Sequence, residues 1–399
     1  MPRYWDFALP TQIHFGAGSA RKIGKHVTPF GTSAMIVGYA DRTGLEATYD
    51  RCEQALAKDG IQATIFYTIP PDPAAELVEQ AAEQARAAGV DVVIGLGGGS
   101  VIDAAKGIAA LVKMGGRLWD YTGANPQSKP ITDSLPLVAV PTTAGTGTEV
   151  SNVAVFTHAD AGSTPGDPIK ASVAGPAVRP NLAVIDPDLA VGSPSRLTAA
   201  CGADALGHAV EACLSRRANP ISSTLAGRAV ALIVANLPQA VSDPNDPAPR
   251  EPLALAATLA GAAFGAAGVV VPHAIAQALG GVLHVPHGLG VALGTRLSLA
   301  FNRQACTAQY AELARCCQLG FEDDETLADR FVVAIDEMLD RCGISGQIEV
   351  PADAPADLLD RLVRNAYDST PVPITLNPRK IAEEDMRGFF EHILGQSGN

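Results

Sequence analysis

DVVIGLGGGSVIDAAKGIAAL, residues 91–111, reads as a buried strand, a run of three glycines, Ser100 as N-cap and then an amphipathic helix. Glycines let a backbone approach a ligand closely, and the amides and dipole of a helix N-terminus favour a pyrophosphate. The run is not GxGxxG, nor is it a Walker A loop, because Lys106 falls inside the helix rather than at its first turn. Taken alone it also fits a tight strand-to-helix turn that needs glycine only for packing. A second loop shifts that balance. PTTAGTGTEVSN, residues 141–152, follows the next apolar strand and offers hydroxyls at Thr142, Thr143, Thr146 and Thr148. Two such loops in one parallel sheet point to a dinucleotide, bound outside the carboxyl ends of the strands.

Outward from these loops, β-branched runs at residues 34–37 and 62–68 alternate with helix-like stretches at 46–58 and 74–88, and further strands fall at 92–96 and 137–140. That alternation predicts a parallel sheet with crossover helices. It stops near Asp186. From Pro194 onward long Ala/Leu-rich segments dominate, broken by PNDPAP at 244–249 and PADAPAD at 351–357, and predict a helical half. A chain of 399 residues exceeds what one core supports. The expected organisation is therefore an α/β domain over residues 1–190 and an all-α domain over 191–399, joined around DPDLAVGSP.

Hydrophobic residues make up 47% and charged residues 18%, a globular composition. A formal net charge of −13 with no Lys/Arg run excludes a concentrated basic face for nucleic acid and leaves small molecules as the expected partners. The first residues lack the charged stretch and apolar core of a signal peptide, so a cytoplasmic location is expected. No membrane partner is expected either: the apolar run at 253–275 is interrupted by glycines, Pro272 and His273 and reads as a buried helix pair. Seven cysteines without a CxxC suit reduced, mostly buried thiols.

GADALGHAVEA, residues 202–212, puts Asp204 and His208 one helical turn apart on one face. A carboxylate and an imidazole suit Fe(II) or Zn(II), although such a pair alone is more often a surface hydrogen bond. His273, His284 and His287 sit in the apolar, glycine-flanked PHAIAQALGGVLHVPHGLGVAL, where burial carries a desolvation cost. Metal coordination would satisfy their ring nitrogens, and so would bonds to core carbonyls.

Taken in order, GGGSVIDAAKGIA, PTTAGTGTEVSN, RPNLAVIDPDL, GADALGHAVEA, VPHAIAQALGG, VPHGLGVAL and TLNPRK resemble the motifs of the iron-containing (group III) alcohol dehydrogenase family, from residue 13 to about 380. The resemblance implies a Rossmann-like N-terminal domain and a helical C-terminal domain of dehydroquinate synthase-like architecture, with a divalent metal in the cleft between them, and a homodimer. It implies an oxidoreductase that interconverts an alcohol and an aldehyde or ketone by hydride transfer to or from NAD, with NADP as the alternative. The family's catalytic metal, Fe(II) or alternatively Zn(II), would fall on Asp204, His208, His273 and His287. Gly98, Gly99, Ser100 and Asp103 match the pyrophosphate site, Thr142, Thr146, Ser151 and Lys170 match the nicotinamide end, and Phe264 lines the substrate pocket.

Two departures stand out. Many NAD-using relatives place an aspartate after the first strand, whereas AMIVGYADRTG offers Gly38 and Tyr39, followed by Asp41, which could serve NAD, and Arg42, which could accept a 2′-phosphate. Many relatives also carry a proton-relay histidine where this chain has Gln277, also expected in the substrate pocket, leaving water, the cofactor ribose or His284 for that task. Two alternatives remain beside the dehydrogenase. One is a dehydroquinate synthase-type lyase, disfavoured by the scarcity of Lys and Arg around Asp204 and His273, and the other is a non-catalytic relative that binds nucleotide and metal.

Overall fold

The computed structural model describes residues 4–159, 168–352 and 354–395. Its contacts divide the chain into two compact units: Leu9–His158 with Ala171–Gly192, and Met1–Ala8 with Ala159–Lys170 and Ser193–Asn399. The first unit is built on Gln12–Phe15 (β1), Ile23–Val27 (α1), Ser33–Tyr39 (β2), Glu46–Lys58 (α2), Gln62–Ile69 (β3), Ala75–Ala88 (α3), Val92–Gly97 (β4), Gly99–Met114 (α4) and Leu137–Pro141 (β5). Val153–His158 (β6) and Ile169–Ala174 (β7) form a separate two-stranded sheet, and Leu182–Ile185 (β8) returns to the main one. The main sheet is parallel, in the order β1-β8-β5-β4-β2-β3.

A parallel sheet covered on both faces needs apolar side chains on both, and β4 is accordingly buried at all six positions. The pleat sorts them by parity. Met35, Val37 and Val93 join one core with residues of α3 and α4, while Ala34, Ile36, Val92 and Ile94 join another with residues of α1 and α2. The expected strands and helices are present, and β1 and β8 complete one edge of the sheet.

The second unit is helical: Ser195–Leu214 (α5), Pro220–Ser242 (α6), Arg250–Ala267 (α7), Val271–Leu283 (α8), His287–Asn302 (α9), Thr307–Cys316 (α10), Asp324–Arg341 (α11), Leu358–Ser369 (α12), Pro371–Leu376 (α13) and Glu383–Ile393 (α14). The apolar run at 253–275 is two helices bent by 103°. Gly268, at φ +76°, makes the break between α7 and α8. By length and composition alone α6 is apolar enough to cross a membrane; it packs against α5 and α7 and holds Pro238 in its interior. All seven cysteines are free thiols.

Glycines let α9 lie almost backbone to backbone on its neighbours. A Cβ at Gly288 would stand 2.1 Å from the Ala200 carbonyl oxygen of α5, and one at Gly294 would stand 2.7 Å from Cα of Pro272 on α8. Neither obstacle is a flexible side chain that could swing away. Gly288→Ala is therefore expected to cost about 1–3 kcal/mol through overpacking, read as a lower denaturation midpoint at unchanged slope. An unchanged midpoint would mean that α9 can shift away from α5 without loss.

Candidate functional site

Asp204, His208 and Glu211 follow one another along the inner face of α5 at i, i+4 and i+7, and all three are buried. His273 lies in the first turn of α8, just after Pro272, whose fixed φ suits a helix start. His287 opens α9 after Pro286. The structure brings these together around one atom, Asp204 Oδ1. His208 Nδ1 stands 3.8 Å from it, and Nε2 of His273 and of His287 each stand 3.6 Å from it. His208 and His273 also bring their Nε2 atoms to 2.9 Å from one another.

Whether a metal fits can be judged from these atoms. Asp204 Oδ1 is enclosed and has no hydrogen-bond partner, a costly arrangement for a carboxylate. Two Nε2 atoms facing each other at 2.9 Å leave at least one lone pair without its own proton. Ligands of a tetrahedral ion with metal–nitrogen distances of about 2.1 Å are separated by roughly 3.4 Å, close to the spacings here. One carboxylate and imidazoles are donors that Fe(II) and Zn(II) accept. The donor set fits a divalent ion.

The electrostatics favour the ionised carboxylate and, at His273, a proton that an ion would have to displace from Nε2. Burial opposes the charge on Asp204, but His208, His287 and His273 outweigh it and hold the carboxyl well below the ordinary carboxylate range. Burial likewise opposes a charge on His273, yet Glu211 and Asp204 push it up to about 10.

Glu211, which the sequence reading passed over, organises His273. Its Oε1 lies 2.7 Å from His273 Nδ1, and its Oε2 accepts the Val270 amide at 2.6 Å. A hydrogen on Nδ1, donated to Glu211, leaves the Nε2 lone pair for an ion, the arrangement by which outer carboxylates orient metal-binding histidines. Phe264 stacks on His208 with ring centroids 4.3 Å apart and 17° between planes, so it walls the cluster. Gln277 lies one turn beyond His273, buried, with Oε1 lacking a hydrogen-bond partner. His284 takes no part in the cluster: it is exposed, at φ +54°, as the C-cap of α8. Lys170 is buried on β7, and a Cβ at Gly280 of α8 would come within 2.7 Å of its Nζ.

In the first unit the two loops pack on each other. The N-cap of α4 is Gly98, not Ser100 as expected, because extended backbone at Gly98 starts the helix at Gly99. Ser100 instead accepts the Asp72 amide at 3.1 Å. Cβ atoms at Gly98 and Gly99 would collide with Tyr39 and Thr146, so these glycines make room for neighbouring side chains as well as for a ligand. The Thr142 amide donates to the Gly97 carbonyl at 3.0 Å. Asp103 turns inward: it accepts from the Thr148 hydroxyl at 2.5 Å and from the Val155 amide at 2.8 Å. Asp41 is exposed and accepts from the amide and hydroxyl of Thr43.

Lys106 is fully buried beneath the second loop. Its ammonium donates to Thr148 Oγ1 at 2.7 Å, to the Ser151 carbonyl and hydroxyl at 3.0 and 3.1 Å, and to the Val153 carbonyl at 2.6 Å. Burial pushes it down to about 8, against the pull of Asp103 and Glu149. Lys106→Met would strand several of these acceptors, so a loss of about 2–4 kcal/mol is expected in denaturant unfolding. Full stability in that variant would show that water replaces the ammonium.

Two family descriptions divide the chain between them. Residues 10–187 match "Iron-containing alcohol dehydrogenase" and residues 198–394 match "Fe-containing alcohol dehydrogenase family, C-terminal". The chain is 31% identical to the NAD-dependent methanol dehydrogenase of Bacillus methanolicus, covering 98% of this chain and 100% of that one. It is 33% identical to the 1-propanol dehydrogenase of Salmonella typhimurium, over 97% and 99% of the two chains. Among solved structures, the sulfoacetaldehyde reductase of Bifidobacterium kashiwanohense in complex with NAD+ superposes with a TM-score of 0.85 at 28% identity, over 99% of this chain and 100% of that one. Matched in both halves and along nearly its full length, the chain belongs to the iron-containing alcohol dehydrogenase family.

Proposed function

We propose that the protein interconverts an alcohol and its aldehyde or ketone with NAD, using a divalent ion, Fe(II) in the first instance, held by Asp204, His208, His273 and His287. The observation that carries the reading is the buried, unpartnered Asp204 Oδ1 ringed by three imidazoles. Bound there, the ion supplies Lewis acidity at a hydroxyl or carbonyl oxygen, and the nicotinamide supplies or accepts the hydride. Asp204 offsets one of the two positive charges. Glu211 fixes the ring of His273, and the face of Phe264 keeps the His208 ring from turning and excludes water from that side. Gln277 can donate or accept a hydrogen bond but cannot take up the alcohol proton. In the other unit, Gly98, Gly99 and Ser100 hold the pyrophosphate, with Asp103 and Lys106 bracing the loop that carries Thr142, Thr146 and Ser151. Lys170 contributes at the nicotinamide end. The reading includes a domain junction near residues 187–195, a cytoplasmic enzyme and a homodimer, the last tested by light scattering.

The decisive experiment measures bound metal and follows NADH oxidation with a panel of short aldehydes, before and after chelation. Turnover is expected to vanish with the metal and to return on adding Fe(II) or Zn(II). Undiminished turnover in metal-free protein would refute the reading.

A further inference from the structure

With the chain read as a dinucleotide-dependent oxidoreductase, the adenosine end of the cofactor has to leave the glycine loop past the tip of β2, the strand hydrogen-bonded to β4. In nucleotide-binding parallel sheets a carboxylate near that point bonds the ribose hydroxyls and disfavours a 2′-phosphate, whereas an arginine accommodates one. The tip of β2 here is Tyr39. Its phenol hydroxyl reaches the loop itself: a Cβ at Gly98 would lie 2.6 Å from it. Gly38 has no room for a side chain, since a Cβ there would meet the rings of Tyr49 and Tyr67 at 2.6 and 2.7 Å. The carboxylate that follows in the chain, Asp41, is folded back onto Thr43, with bonds of 3.0 and 2.6 Å. A neutral phenol therefore stands where a ribose-binding carboxylate would.

Beside the same strand ends the structure opens a recess of about 240 Å³, floored by Leu96 of β4 and Val140 of β5 and bordered by Arg21 and Arg51. Neither arginine is in an ion pair among the described residues, and Arg51 makes only a 3.4 Å bond to the Thr48 hydroxyl. Two carboxylates also line the recess. Asp186 is committed, since it accepts the amides of Gly18, Ala20 and Asp188. Asp188 is exposed, and two guanidinium groups stand against its single charge.

We propose that this recess receives the adenosine of the cofactor and that Arg21 and Arg51 on its border accept a 2′-phosphate, so that the protein binds NADPH as well as NADH. The proposal rests on the dinucleotide reading above, and direct binding separates the two. Fluorescence titration of the full-length, metal-loaded protein with NADH, NADPH, 5′-AMP and 2′,5′-ADP needs no turnover. Dissociation constants for NADPH and NADH within tenfold of each other are expected, and 2′,5′-ADP should bind more tightly than 5′-AMP.

Replacing both exposed arginines, R21A with R51A, should weaken NADPH and 2′,5′-ADP by about tenfold or more, as loss of charge-assisted bonds implies, and leave NADH nearly unchanged. Tyr39→Asp should bring the same selective loss by placing a carboxylate at the loop. NADH binding tenfold or more tighter than NADPH in the unaltered protein would overturn the proposal while sparing the oxidoreductase reading. So would NADPH binding untouched by the double arginine change. Failure of both dinucleotides to bind would instead strike the reading on which it rests.

Discussion

Asp204→Ala is expected to leave the protein without stoichiometric metal and with turnover lowered by at least about a thousandfold, since Lewis-acid stabilisation contributes several kcal/mol to such reactions. The geometry explains why this residue outranks the others. Three imidazole nitrogens sit within 3.8 Å of one oxygen, and that oxygen carries the cluster's negative charge. Without it, a divalent ion would have to enter a buried site lined by neutral or positive rings. The fold should survive with reduced stability, because the three imidazoles that hold Asp204 ionised lose their shared acceptor while the rest of α5 keeps its packing. Elemental analysis, circular dichroism and NADH kinetics on one preparation check all three statements. Retention of full metal occupancy in the folded variant would contradict the ligand assignment.

A second large effect is expected from Glu211→Gln, a change of nearly equal shape. Both oxygens of Glu211 accept hydrogens, one at His273 and one at the Val270 amide. A glutamine presents one oxygen and one NH2 group, so it confronts either His273 Nδ1–H or Val270 N–H with a second donor. His273 would then turn or change tautomer, and metal affinity should fall about 10–100-fold, as for other outer carboxylates of metal-binding histidines. Turnover should recover when metal is added in excess. That recovery distinguishes a positioning role from damage to the fold, and a turnover deficit that persists at saturating metal would exclude it.

Much of the α/β half was legible because its signals are local. Residues 34–37 and 92–96 are buried on both sides of a sheet and so read as short apolar runs, and the helix at 46–58 begins and ends where its polar pattern does. The proposed metal ligands come through a different route, the resemblance of GADALGHAVEA, VPHAIAQALGG and VPHGLGVAL to a family, since periodicity alone leaves His284 on the same footing as His273. Glu211 lay inside the quoted motif at the right helical spacing, yet an acid on an Ala-rich helix reads as solvated until the approach of α8 is known. Serine favours the N-cap position, which makes Ser100 the expected cap, while the structure uses extended backbone at Gly98. The meeting of Tyr39 with Gly98 and the anchoring of the second loop by Lys106 depend on contacts between distant segments, which no local pattern encodes.

The four side chains proposed to hold the metal are sheltered very unequally. Asp204, His208 and His273 leave 4%, 7% and 6% of their side-chain surface open, whereas His287 leaves 31%. Asp204 and His208 sit within the long α5, and His273 is braced by Glu211, but His287 is the first residue of its helix, where fraying is easiest. This imposes an order on ion exchange. If the four side chains hold an ion as proposed, an incoming chelator or competing cation would meet the exposed imidazole of His287 first. The lifetime of such an ion would then be governed by the opening rate of one helix end, and a substitution that stiffens residues 285–288 would slow demetallation without altering the affinity of the closed site.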